Sequence, residues 1–153
     1  MKFFKLFLLL LSTQILWGQK VDVTADSMKA YDAKKEVHFT GNATVKQGKD
    51  WIKADEIIIH LNQKNQAKMY EALGHVTFEF QNEKGHYKGS SRKVKYYPLK
   101  SLYILLGRAK VKDVMNNRSA KGDKITVDML TGNSQVNGSK KKPVKFTFDT
   151  GKK

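Results

Sequence analysis

Gly41-Asn42-Ala43-Thr44-Val45 is echoed three times along the chain, by Gly74-His75-Val76-Thr77-Phe78, Gly107-Arg108-Ala109-Lys110-Val111 and Gly132-Asn133-Ser134-Gln135-Val136. The glycines stand 33, 33 and 25 residues apart. A second pattern interleaves with the first: Ala25-Asp26-Ser27-Met28, Ala54-Asp55-Glu56-Ile57, Gly89-Ser90-Ser91-Arg92 and Gly122-Asp123-Lys124-Ile125, spaced 29, 35 and 33. Two interleaved patterns of similar period mark one structural unit used repeatedly.

Within each unit the apolar residues recur every second position. Val37, Phe39, Ala43 and Val45 alternate with His38, Thr40, Asn42 and Thr44, and Val76, Phe78 and Phe80 alternate with Thr77 and Glu79. Ala109 and Val111 alternate with lysines, while Ile125, Val127 and Met129 alternate with Thr126 and Asp128. A period of two in β-branched and aromatic residues predicts half-buried strands. Turn chemistry separates them at 32–35, 47–50, 62–65, 82–85, 116–117 and 131–133. No mature segment carries a capped helical stripe, so the fold class is all-β. A glycine inside a strand permits a bulge or sharp bend. A glycine at one place in every unit predicts a twisted, folded-over pair of sheets with apolar faces inward. The pattern leaves open whether that interior closes. Pro98 predicts a strand end or edge.

Residues 1–18 read as a cleaved signal peptide. Lys2 and Lys5 flank an apolar run from Leu6 to Leu16, and Gly18 offers a small residue at the cut. That run is shorter than the roughly 20 residues a bilayer core requires. The chain has no cysteine, which excludes both a lipid-modified N-terminal Cys and a disulfide framework. The mature chain, about 135 residues, is long enough to bury about two-thirds of its surface without such staples.

Charge narrows the partners. Lys plus Arg is 29 against 14 for Asp plus Glu, a net of +15 that becomes +13 without the leader. Such a field attracts polyanions, and export disfavours nucleic acid among them. His38, His60, His75 and His86 show no ligand spacing, so no metal site and no cofactor is expected. The repeated Asp26, Asp55 and Asp123 are expected to bind local backbone amides rather than to act in catalysis. No nucleophile with a partnered base stands out, and the chain is read as a non-enzyme.

Phe39-Thr40-Gly41-Asn42-Ala43-Thr44-Val45-Lys46-Gln47-Gly48, Ile52-Lys53-Ala54-Asp55-Glu56-Ile57 and Lys121-Gly122-Asp123-Lys124-Ile125-Thr126 resemble the OstA-like/LptA family of periplasmic lipopolysaccharide-transport bridge proteins, in order and approximate spacing over residues 20 to 138. The resemblance implies a partly open β-jellyroll at 19–139 whose apolar groove takes lipid A acyl chains. It also implies head-to-tail assembly into a bridge that conducts lipopolysaccharide from the inner to the outer membrane. The implied partners are an inner-membrane anchored OstA-like protein, an outer-membrane lipopolysaccharide-assembly protein and further copies of the chain, with no nucleic acid. The family's lipid-lining positions fall on Val21, Val23, Phe78 and Tyr96. Alternation adds Val45, Ile57, Ile59, Val76, Val94, Ile104, Ala109, Val111, Ile125 and Val127 as inward candidates. Residues 140–153 form a basic C-terminal strand or tail, in which Val144, Phe146 and Phe148 alternate.

Two other classes fit the composition. A secreted polyanion-binding module would place Tyr96, Tyr97 and Tyr103 outward among Arg92, Lys93, Lys95 and Lys100. An envelope scaffold would assemble without any lipid. In the groove reading, Val76→Glu or Phe78→Glu is expected to remove lipid binding and leave the β fold intact.

Overall fold

The computed structural model describes residues 20–83 and 85–151. The expected leader lies outside the described residues. Ten strands form one antiparallel sheet: β1 (Val21–Thr24), β2 (Ser27–Tyr31), β3 (Glu36–Gln47), β4 (Asp50–Leu61), β5 (Ala67–Asn82), β6 (Gly85–Tyr97), β7 (Leu102–Asp113), β8 (Arg118–Asp128), β9 (Ser134–Asn137) and β10 (Lys145–Phe148). Strands β3 to β8 pair in sequence order. β1 and β2 share the free side of β3, and β9 and β10 share the free side of β8.

Each pairing between long strands shifts register in mid-strand, at 40/43, 53/56, 73/76, 90/93 and 106/109, and the β4–β5 pairing shifts again at 60/61. The mid-strand shifts align and crease the sheet into two layers. The first layer holds β2, 36–40, 56–61, 67–73, 93–97, 102–106, 124–128 and β9. The second holds β1, 43–47, 50–53, 76–82, 85–90, 109–113, 118–122 and β10.

The glycine repeat makes the crease. Gly41-Asn42, Gly74-His75 and Gly107-Arg108 each adopt consecutive left-handed conformations, with φ of +85 and +47, +82 and +49, and +81 and +47 degrees. Glycine enters that region without steric penalty, and Asn tolerates it better than most residues. Three of the four repeats are therefore strand bulges. The fourth differs: Gly132 lies in the turn between β8 and β9, and a Cβ placed on it meets nothing within 4 Å.

The second pattern packs into the crease from the neighbouring strand. A Cβ added at Gly41 or Gly74 would collide with the carboxylate of Asp26 or Asp55, and one at Gly107 would press on Arg92. Asp26 N–H also donates to Gly41 O at 2.8 Å. On β3, β5 and β7 the inward positions keep one parity across the bulge. On β4, β6 and β8 they change parity, from Ala54 to Ile57, Ser91 to Val94 and Gly122 to Ile125.

The inner faces of both layers make one core. Val37, Phe39, Ala43, Ile57, Ile59, Leu61, Val76, Phe78, Val94, Leu105, Ala109 and Ile125 are all buried in it. Full burial of one such aliphatic or aromatic side chain contributes about 1.5–3 kcal/mol, which is what holds the layers together.

Candidate functional site: an apolar trough between two layers

The sheet never closes on itself, because β1 and β2 do not pair with β9 or β10. The interlayer space therefore reaches the surface at the sheet edges and at the strand ends away from the crease. At the strand ends, Val45, Ile52 and Phe80 of the second layer face Ile57, Tyr70, Val94, Tyr96 and Tyr103 of the first across an opening of about 110 Å³. Ligand pockets span roughly 300–1,000 Å³, so a fatty chain requires the layers to part further. The interior stays open at its edges, as expected of a partly open jellyroll, but side chains fill most of it.

An aromatic ladder runs from the core to this mouth. Phe78 stacks on Phe80 at 4.9 Å, Phe80 meets Tyr103 at 4.2 Å, Tyr103 stacks on Tyr96 at 4.3 Å, and Tyr96 stacks on Tyr70 at 5.8 Å. Burial pushes the Tyr70 phenol up to about 12 and raises those of Tyr96 and Tyr103 as well. These three groups stay neutral through physiological pH, leaving an uncharged wall. Asp50 sits at the rim, where burial raises its carboxyl pKa against the pull of a 2.8 Å hydrogen bond donated by Gln81 N–H.

A second mouth opens at the C-terminal edge. Val111, Ala120 and Phe146 of the second layer oppose Ile125, Val127 and Val136 of the first around about 240 Å³. Phe146 and Phe148 are 54% and 61% exposed and pack on each other at 5.5 Å. Their register partners Ala120 and Arg118 place both rings on the inward side of β10. Beside them Arg118 Nε donates to the buried Asp113 at 2.9 Å, and Asn116 Nδ2 donates at 2.9 Å. Burial acts to raise the Asp113 carboxyl pKa, but those hydrogen bonds outweigh it and hold the group below the usual carboxylate range. At the opposite edge, Val21 and Val23 on β1 and Met28 and Ala30 on β2 lie in register with inward residues of β3. Met28 is 49% exposed there.

The interior brings together the residues anticipated for the groove, in three different settings. Ile59, Val76, Phe78 and Ala109 are deep in the core, while Ile57, Val94 and Ile125 are buried there and also reach the two mouths. Val111 and Val127 line the C-terminal mouth, while Val45 and Tyr96 line the mouth at the strand ends. Val21 is buried and Val23 half-buried, next to the N-terminal edge. Ile104 is a correction. It pairs with Lys95 and Thr126 on the outer face, and the inward residue is its neighbour Leu105, 1% exposed. Tyr103 and Tyr70 were not anticipated as inward residues, although Tyr103 shares the parity of Ala109 and Val111. The outward tyrosine cluster of the polyanion-binding class is also corrected, since Tyr96 and Tyr103 face inward and only Tyr97 shares the outer face with Lys93 and Lys95.

On the outer face of the first layer the histidines bridge carboxylates. His38 Nε2 lies 3.0 Å from Glu36, and His60 lies 3.6 Å from Glu36 and 3.2 Å from Glu71. Lys93 Nζ completes the row at 2.8 Å from Glu71. The His38 hydrogen bond lowers the Glu36 carboxyl pKa.

An open, creased antiparallel jellyroll with a mostly apolar space between its layers defines the class of fold. The family model described as LptA/(LptD N-terminal domain) LPS transport protein matches residues 22–133, and the chain belongs to that family. Membership carries a role in lipopolysaccharide transport, in a family of transport proteins rather than of enzymes. The crystal structure of LptH, the LptA-homologous periplasmic component of the conserved lipopolysaccharide transport device from Pseudomonas aeruginosa, aligns with a TM-score of 0.75. It is 17% identical over 86% of this chain and 96% of that chain, a likeness of fold. No curated protein sequence matches the chain.

Proposed function

We propose that the protein takes lipid A acyl chains between its two layers and hands lipopolysaccharide along a head-to-tail bridge across the periplasm, from inner to outer membrane. The observation that carries this reading is the continuity of the apolar interior with both open edges. A trough bounded by exposed Phe146 and Phe148 at one end and Met28 at the other can abut a second copy without interrupting its apolar lining. Each methylene removed from water contributes about 0.8 kcal/mol, enough for several chains to repay separating the layers. Bare edge strands template further strands, so β10 of one copy is suited to meet β1 and β2 of the next.

In this reading residues 1–18 are a leader removed on export, 19–139 form the carrier body and 140–153 supply the terminal strand for assembly. The terminal copies meet the inner-membrane anchored OstA-like protein and the outer-membrane assembly protein. The lipid-contacting residues are Val21, Val23, Val45 and Tyr96 near the openings, with Ile57, Ile59, Val76, Phe78, Val94, Ala109, Val111, Ile125 and Val127 reached as the layers part.

The test is native mass spectrometry of the protein purified from its envelope. Co-bound lipopolysaccharide is the expected result. Val76 and Phe78 are too deeply buried, at 0% and 3% exposure, for a Glu substitution to spare the fold. Ile52→Glu is the better probe, because Ile52 is half-buried at the mouth. It should abolish co-purified lipid with β circular dichroism intact. Undiminished lipid on that variant would remove the trough from the mechanism.

A further inference from the structure

The two outer faces of the sheet differ sharply in charge. On the first layer the lysines stand among acids, as where Lys93 bonds Glu71. On the second layer they stand mostly alone. One cross-strand row carries Lys46, Lys88 and Lys112, and the next carries Lys53, Lys110, Lys121 and Lys145. All seven are exposed. Among the described residues only Lys88 has a carboxylate within 4.0 Å, that of Glu79 at 3.9 Å. Thr44, Thr77, Ser90, Ser119 and Thr147 fill the positions between them.

Lys110, Lys121 and Lys145 sit directly opposite one another on β7, β8 and β10. Like charges in that relation destabilise a sheet. Lys142 adds to the same region, lining a surface dip with Lys110 and Lys121. Asp22 opposite Lys46 and Glu79 opposite Lys88 offset part of the first row. The row of Lys53, Lys110, Lys121 and Lys145 holds no acid, and an anion covering it relieves the repulsion. The face spans roughly 34 Å across its eight strands at about 4.8 Å spacing, and its lysines are spread along it, so it matches an extended anionic surface better than a single small ligand. Its aromatic residue is Trp51, with Lys53 Nζ 5.4 Å from the ring centroid. One aromatic gives little to stack bases on, whereas Trp suits the headgroup level of a bilayer.

We infer that the outer face of the second layer, centred on Lys110, Lys112 and Lys121, docks the protein onto an anionic phospholipid surface. This face points away from the trough, so the inference stands independently of the lipid-carrier reading. Each lysine near an anionic leaflet contributes about fivefold to partitioning at moderate salt.

The experiment is co-sedimentation of the full chain with vesicles of phosphatidylcholine alone or mixed with phosphatidylglycerol. The wild type should bind the mixed vesicles in preference, and the preference should shrink as salt rises from about 0.1 to 0.5 M. Lys110→Glu/Lys112→Glu/Lys121→Glu should lower the phosphatidylglycerol-dependent binding by more than a hundredfold, and the three Gln replacements nearly as far. Lys29→Glu/Lys95→Glu/Lys124→Glu changes net charge equally on the other outer face and should leave binding within about threefold. Equal losses in the two triple variants would make net charge, not this face, the cause and overturn the inference. Binding without preference for phosphatidylglycerol, or tighter binding to duplex DNA than to the mixed vesicles, would overturn it as well.

Discussion

Asp55 occupies the space that a side chain on Gly74 would need, and the same relation joins Asp26 to Gly41 one repeat earlier. The two sequence patterns are the two halves of one corner. A bulge with left-handed residues bends each odd-numbered long strand, and a neighbouring side chain, Asp26, Asp55 or Arg92, fills the space that the missing Cβ leaves.

Gly74→Ala should therefore be far more damaging than Gly132→Ala. Both positions have positive φ, +82 and +78 degrees, so each alanine carries a backbone strain of about 1–2 kcal/mol. Only Gly74 adds the collision with Asp55. Thermal unfolding should show a drop of several degrees for Gly132→Ala and at least twice that for Gly74→Ala. Equal drops would mean that Asp55 swings away freely.

Leu105→Ala should destabilise the protein by about 2–5 kcal/mol, as expected for a leucine buried among facing strands. Ile104→Ala, on the outer face, should have well under half that effect. Urea denaturation of the pair reads out the facing of β7 directly. The reverse order would place Ile104 inside.

Asp113→Asn should cost about 1 kcal/mol at neutral pH, a modest figure because Arg118 is half exposed. The Asp113 carboxyl is depressed in the native state, so its contribution is fully present above the ordinary carboxylate value. It is lost as pH falls below about 4 and the native carboxyl is protonated. Melting temperatures of wild type and variant should converge over that interval. A constant gap down to pH 3 would show that the ion pair is not the source.

Phe146→Ser/Phe148→Ser should leave the melting temperature nearly unchanged, since both rings are more than half exposed. It should lower self-association in sedimentation velocity, as should deletion of residues 140–153. Unaltered oligomer size in both would exclude β10 from the contact between copies.

The sequence announced the corners more clearly than the faces. Gly41, Gly74 and Gly107 were legible because a left-handed pair is a local requirement that few residue types meet. Gly132 carried the same signature but serves a turn, because no long strand continues through it. Facing was readable wherever polar residues mark the outer side, as around Val76 and Phe78. It failed at Leu102-Tyr103-Ile104-Leu105-Leu106, which is apolar on both sides and so gives alternation no phase. The first layer's outer face buries Ile58 and half-buries Leu73 and Ile104, so local chemistry there looks like core. The width of the trough was not legible at all, because it depends on how facing side chains from distant strands interlock.

Each long border of the sheet is finished by two short pieces rather than one bent strand: β1 and β2 along β3, β9 and β10 along β8. Every piece holds on by only four or five residue pairs, so any one can lift off while its companion stays seated and the body remains folded. Half a border can thus be uncovered at a time, which makes exchange of a flap for a foreign strand a small local event and not an unfolding of the molecule.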